Sequence, residues 1–480
     1  MRTRTLKTWF SHCLLTVAIP LIAQAGPPFG GSVEGVWTRA ESPYLVDSTI
    51  SIERGDSLII EAGVLVQFNA PITFYVYGTL LALGSEGDSV CFWSDDTVPW
   101  NGIQFYEATH CSLSYISIRR PLQGLRFDKS QAIIEHSTIN AEFIGVLADS
   151  SDNLLLVNSN IEVNGPAPIG VKMIYASMFM ANDSVIVNSN PDANPAMGLE
   201  ITKSNPEIRY CVVDVMADIF GYGIRANEVS IKSTIHYNLI RTVSKSFAYG
   251  GHFTKFSAWF VNNTVVVQSD LFHGGCCLFL QRYCEPWIEN CILYGDGSSY
   301  GIQSADSHPV VLFSDIYHHD LLFAGVTPGL GCISDDPQFE NSVAQNYHLL
   351  PASPCIDAGD PNMSPDPDLS VRDMGCYFYD QTVGVEPPPP ALPRNHRLIE
   401  AFPNPFNAAT RIAVTLPVGQ EGELRIYDLH GRLLETLFAG FLPAGSSRHI
   451  WDASRYCSGI YWVVLDSPQH YQTVKVCLVR

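Results

Sequence analysis

The chain has 480 residues, 46% hydrophobic and only 16% charged, which excludes a disordered polymer and leaves room for several domains or one long array. Its 28 Lys and Arg stand against 48 Asp and Glu, a formal net charge of −20. That balance argues against nucleic acid as a partner, because phosphates need clustered cations, and against adhesion to anionic lipid.

Residues 1–25 read as an export signal, with basic Arg2, Arg4 and Lys7, an apolar stretch from Trp9 to Ala23, and a small-x-small site at Ala23-Gln24-Ala25. The stretch is interrupted by His12 and Pro20 and is too short to span a bilayer, so the mature chain is expected to have no transmembrane span. Cys13 leaves with this segment, and 12 of the 13 cysteines remain. An exported chain permits disulfides, and Cys355 with Cys376 is the first candidate bridge to test. Cys91, Cys211 and Cys291 sit inside apolar patterns and read equally as buried thiols.

From residue 102 onward, short strand patterns open on Gly102, Gly124, Gly145, Gly170, Gly198, Gly223, Gly251, Gly275 and Gly301, at steps of 21 to 28 residues. A second pattern follows each glycine strand, at 112–118, 134–139, 156–161, 186–190, 208–213, 231–235, 260–265, 288–292 and 312–316. Each repeat therefore holds at least two short alternating strands separated by polar turns. Such strands cannot bury an apolar face alone. Stacking each on its equivalent, about 4.8 Å away, lines the apolar residues into columns. Asn158, Asn188, Asn262 and Asn290 recur in the second pattern and are expected to stack at a coil bend. Glycine at the strand start suits a backbone bend or a close approach. The expected fold is all-β, a right-handed parallel β-helix solenoid over residues 26–382 with capped ends, followed by a small β-sandwich. Residues 48–68 and 72–82 supply its first coils, and Arg54-Gly55-Asp56 reads as a turn between strands.

Two segments carry a resemblance. Ser42-Pro-Tyr-Leu-Val through Ile60-Glu-Ala-Gly-Val-Leu-Val-Gln-Phe, then Trp100-Asn-Gly-Ile-Gln-Phe, resembles the opening of secreted bacterial parallel β-helix proteins of the pectate-lyase-like class. Tyr347-His-Leu-Leu-Pro-Ala-Ser-Pro-Cys-Ile-Asp-Ala-Gly-Asp-Pro resembles the segment that ends such helices. The resemblance implies the fold and says little of activity, since that architecture carries lyases, hydrolases, adhesins and stalks.

Residues 383–397 are Pro-rich and read as an extended linker. Residues 398–480 alternate in the manner of a small all-β sandwich. Six motifs in order make this module similar to the C-terminal sorting domain of type IX secretion cargo. They are Phe402-Pro403-Asn404-Pro405-Phe406-Asn407, Tyr427-Asp-Leu-His-Gly-Arg, Leu442-Pro-Ala-Gly, Trp451-Asp-Ala-Ser, Ser458-Gly459-Ile-Tyr461-Trp, and Lys475-Val-Cys-Leu-Val-Arg. The resemblance implies that Pro403, Asn404, Pro405, Phe406, Asn407, Gly459, Tyr461 and Lys475 belong to a sorting signal. It implies the type IX machinery as partner, and a chain secreted or attached to the outer cell surface after transit through the periplasm.

Chemistry is harder to place. Outward carboxylates Glu107, Asp128, Asp149, Glu200 and Asp306 fall on different coils and not at one repeat position. The ordered polar set of polygalacturonase-like enzymes is missing. His318-His319-Asp320 reads as a surface turn, because adjacent strand residues point to opposite faces. Asp366, Asp368 and Asp373 are the candidate calcium ligands, with capping of the last coil as the other reading. Phe105, Phe127, Arg126 and Arg225 are the candidate binding residues, on a long strand face that also bears Tyr106 and Tyr175 and suits an extended polysaccharide. The reading is a monomeric, non-catalytic surface element that binds glycan, adheres or builds structure; the alternative is a lyase or hydrolase of acidic polysaccharide, with two carboxylates as the requirement for hydrolysis.

Overall fold

The computed structural model describes residues 29–480 except 96–98, 191–194, 383–397, 405, 417–418, 429–431, 468–470 and 480. The expected signal peptide and linker lie outside the described residues. The body is a parallel β-solenoid in which each coil has three strands, one more than the two patterns per repeat. One coil runs Gly102–Tyr106 on a first face, Cys111–Ser114 on a second and Ile116–Arg119 on a third. The second face is a 12-stranded parallel sheet. The first and third are continuous with one another only because Tyr44–Ile52 pairs with both Leu65–Phe68 and Thr73–Val76.

The extra strand arises at a bend inside the second pattern. Tyr115, His136, Asn158, Asn182, Tyr210, Tyr237, Asn262, Asn290 and Phe313 all have φ between 42° and 56°, a left-handed conformation that breaks a strand in one residue. Asn182 takes the place expected of Asn188: its Nδ2 donates to Asn158 Oδ1 at 3.3 Å, whereas Asn188 lies on the third face and donates to Asn164 Oδ1 at 2.8 Å. Where the bend carries no Asn, rings stack instead, Tyr115 on His136 at 4.7 Å and Tyr210 on Tyr237 at 5.2 Å. At Ser137, Ser159, Asp183, Asn238, Asn263 and Ser314 the residue after the bend is polar and reaches the coil before it. The amides of Ile116, Ser137, Ser159 and Asn238 donate to Ser137 Oγ, Ser159 Oγ, Asp183 Oδ1 and Asn263 Oδ1. These bonds satisfy backbone N–H groups that a turning chain would bury unpaired.

The glycine column works by close approach. A Cβ on Gly198 would lie 2.6 Å from the Gly223 carbonyl oxygen and closer still to Val213 Cγ1. Gly124, Gly145, Gly170 and Gly223 meet the same two kinds of neighbour. Two expected rungs are displaced. Gly250 and Cys277, not Gly251 and Gly275, continue the column, since Ile224 pairs with Gly251 and Gly251 with Leu278. Gly251 occupies an inward position, and the Phe253 ring fills the space it leaves. Beside the column, Phe74, Ile103, Leu125, Val146, Val171, Leu199 and Ile224 align coil on coil with at most 1% of their surface exposed.

After the last coil the chain folds back along the solenoid. Asn262 Nδ2 donates to the carbonyls of Asp373 and Gly375 at 2.9 and 3.2 Å, and the amides of Gly375 and Asp360 bond to Asn290. All twelve described cysteines are free thiols, including Cys355 and Cys376, the candidate bridge. They sit in different packing clusters, the Cys355 thiol facing Asp315 at 3.4 Å and the Cys376 amide donating to Thr264 Oγ1. No helix among the described residues is long and apolar enough to cross a membrane.

The C-terminal module packs a three-stranded antiparallel sheet on a four-stranded one around Ile412, Val414, Leu424, Ile426, Trp451, Val463 and Val476. Gly198→Val forces a side chain into the column, and its overpacking is expected to cost about 1–3 kcal/mol. Asn262→Ala leaves two carbonyls of the fold-back segment without a donor and is expected to cost about 1–3 kcal/mol. Thermal unfolding of both variants checks these values.

Candidate binding face

The first face alternates, so one residue in two points outward. Phe105 and Phe127 are inward: both are fully buried and stack at 4.6 Å, so they belong to the core and cannot touch a ligand. Tyr175 sits at a left-handed bend beside Lys203, off the strand face. Arg126 and Arg225 do point outward, in one row that aligns Gln104 with Arg126 and Glu200 with Arg225 and His252.

Around Arg225 the outer face is aromatic. Tyr222 stacks on Tyr249 at 5.3 Å, and His252 stacks on Phe279 at 5.1 Å. The Arg225 guanidinium lies over the Tyr222 ring, 5.6 Å from its centroid. Rings and cation form one platform across three coils, with the rings half-buried and Arg225 exposed. Gln281 Nε2 bonds His252 Nε2 at 3.0 Å. Burial, with Arg225 alongside, lowers the His252 pKa to about 4, so the imidazole is neutral at pH 7. The neighbouring Glu200 is engaged by Lys172 at 2.7 Å. Tyr222, Tyr249, His252 and Phe279 were missed in the sequence. A signal existed: Tyr222-Gly-Ile-Arg, Tyr249-Gly-Gly-His and Tyr300-Gly-Ile-Gln set a Tyr before the column residue and a polar group after it.

A second outer patch lies about five coils away, roughly 24 Å at strand spacing. Tyr75, Tyr77 and Tyr106 cluster at 5.8 to 6.1 Å, and Arg126 reaches 5.8 Å from the Tyr106 ring and 3.7 Å from Asp128. Asp128 and Asp149 pair in register on adjacent coils, so they do share a repeat position, contrary to the sequence reading. The alignment was legible in the sequence, since each Asp stands four residues after its column glycine, Gly124 or Gly145.

The acidic loop near the end works differently from a calcium site. Asp366 Oδ2 accepts from the Asp373 amide at 2.6 Å; Asp373 accepts from the amides of Asp357 and Tyr379 at 2.7 and 2.6 Å. Asp368 accepts from Ser370 and from the Gln381 amide. The three carboxylates point at backbone donors and cap the fold-back segment. Among the described residues no group of three or more His, Cys, Asp or Glu side chains is arranged to hold a metal ion. His319 likewise turns inward to Ser299 Oγ at 2.7 Å, while Asp320 meets His273 at 2.5 Å.

In the C-terminal module the motif residues hold the two ends together. Asn404 accepts from the Cys477 amide and donates to the Lys475 carbonyl; the Phe406 amide donates to the Cys477 carbonyl. Phe406 is buried, Tyr461 donates to the Cys457 carbonyl at 2.6 Å, and Asn407 and Pro403 are exposed. Pro405 lies outside the described residues.

Residues 101–265 match the family model described as right handed beta helix region. Residues 400–479 match the model described as secretion system C-terminal sorting domain. No curated protein matches the chain.

Burial raises the pKa of Asp366 to about 7 and of Asp373 to about 6, from 3.8. The folded cap then keeps protons that the unfolded chain gives up, so this contribution is full below pH about 4 and is lost as pH rises through about 7. Hydrogen exchange at the Asp357, Asp373 and Tyr379 amides, corrected for intrinsic rates, is expected to be slower at pH 5 than at pH 8.

Proposed function

With a right-handed β-helix followed by a type IX secretion sorting domain, the protein is secreted or attached to the cell surface, and we propose that it acts there as a non-catalytic glycan-binding element. The observation that carries this reading is the platform of Tyr222, Tyr249, His252 and Phe279 around exposed Arg225. Sugar rings present apolar C–H faces that stack on aromatic side chains, and a guanidinium recognises a carboxylate or sulfate by paired hydrogen bonds. A rigid strand face presents these groups without ordering cost, which favours binding over closure. The Tyr106 and Arg126 patch farther along the same face favours an extended polymer over a small sugar. Residues 1–25 would serve the first export step, the sorting domain the second, and the mature chain would act as a monomer.

A second reading has its own observation. Asp128 and Asp149, in register on neighbouring strands, supply the two carboxylates that glycoside hydrolysis uses. On this reading Asp128, 3.7 Å from the Arg126 guanidinium, and Asp149 would divide the acid and base roles between them.

Affinity electrophoresis and calorimetry with uronic-acid, sulfated and neutral polysaccharides test both readings. The Tyr222→Ala/Tyr249→Ala variant is expected to lose binding by about tenfold or more. Arg225→Ala is expected to lose the preference for acidic polymers. Unchanged binding in both variants overturns the platform. New reducing ends that vanish in Asp149→Asn would establish the hydrolase in its place.

A further inference from the structure

The solenoid and the sorting module meet along one seam. Val464 of the module packs on Val157 and Ala181 of the solenoid's second face, all three with at most 2% exposure. Arg209, stacked over the Phe179 ring at 4.8 Å, forms an ion pair with Asp466, and both side chains are below 10% exposed, at 8% and 6%. Thr473 Oγ1 donates to Glu135 Oε2 at 2.7 Å. A buried charge pair needs its partner in place, so Arg209 and Asp466 specify where the module docks.

The module face that docks carries residues of the sorting motifs. Tyr427 is half-buried, Trp462 is 1% exposed, and Lys475 lies near enough to Glu135 to act on its carboxyl. The seam is also imperfect. A cavity of about 240 Å³ lies between Leu155 and Phe179 on one side and Tyr427 and Trp462 on the other. The buried Trp462 indole N–H has no acceptor among the described residues. A domain core fills such space; a seam that leaves it open, and is fixed by one charge pair and one hydrogen bond, is built to separate.

We propose that the sorting module docks on its own solenoid as a closed form in which Tyr427, Trp462 and Lys475 are withheld from the secretion machinery, with Arg209–Asp466 as the latch. The machinery then engages the open form, and its apparent affinity is reduced by the fraction of molecules that are closed. The solenoid thereby sets when its own address is read. The sorting role of the module is independent of any glycan bound on the first face, which is a different face of the solenoid from the one that forms the seam.

The test uses the full chain. Ala181→Cys with Val464→Cys places a cysteine on each side of the seam, and Val464→Cys alone is the control. Oxidation is expected to cross-link the pair, and the cross-linked protein to remain in the periplasm while the single variant is exported. Arg209→Glu places two like charges at the latch; it is expected to increase the radius of gyration in X-ray scattering and to be exported at least as fast as the unaltered chain. Failure of the cross-link to form, export of the locked form at the normal rate, or unchanged scattering of Arg209→Glu each overturn the proposal. Should the locked variant not fold, as judged by its circular dichroism, the scattering of Arg209→Glu decides alone.

Discussion

Everything in the solenoid follows from parallel strands stacked in register, coil upon coil, at the spacing of a β-ladder. That spacing is too small for any side chain between the Gly198 and Gly223 backbones, where the third face presses its Val213 against the first. Turning corners on so short a pitch requires single left-handed residues, and the amides at each corner must be paired by the coil that follows. Ser137, Ser159, Asp183 and Asn263 perform that task from inside the wall. Cys277 stands in the glycine column where its neighbours allow a small side chain, fully buried and with its thiol directed at backbone carbonyls.

The same constraint separates structure from function. Inward positions and bends are committed to stacking, which is why Phe105, Phe127 and the capping aspartates are unavailable for recognition. Outward positions of the first face carry no such burden. There the coil spacing places side chains from consecutive repeats side by side, so Tyr222 and Tyr249 become one surface although they stand 27 positions apart in the chain. A solenoid accordingly converts a sequence period into a row of ligand contacts.

The C-terminal module obeys different rules, with antiparallel sheets around a compact core of its own. Its first and last motifs are distant in sequence yet hydrogen-bonded to each other through Asn404 and Phe406. Motifs of this sort therefore report the integrity of a sandwich as well as an address. The seam with the solenoid adds a third layer, because residues that are surface to one domain become buried by the other.

Period and alternation determined the class of the solenoid and the sandwich at its end, and the resemblance of six ordered motifs to a sorting domain gave the direction in which the chain is sent, because these depend on local patterns that repeat or occur in order. The strand count per coil was not legible: a left-handed Tyr or Phe reads in sequence as one more apolar residue of a strand. The displaced rungs at Gly250 and Cys277 escaped because coil lengths vary, and a glycine one position off looks the same until the ladder is paired. Arg225 was legible as an outward cation, but its platform was not, since contact between Tyr222, Tyr249, His252 and Phe279 exists only across coils. The role of Asp366 and Asp373 turned on which backbone amides lie within reach, and the latch between Arg209 and Asp466 on how two domains meet. Those are facts of distance between residues far apart in the chain, and only the tertiary structure decides them.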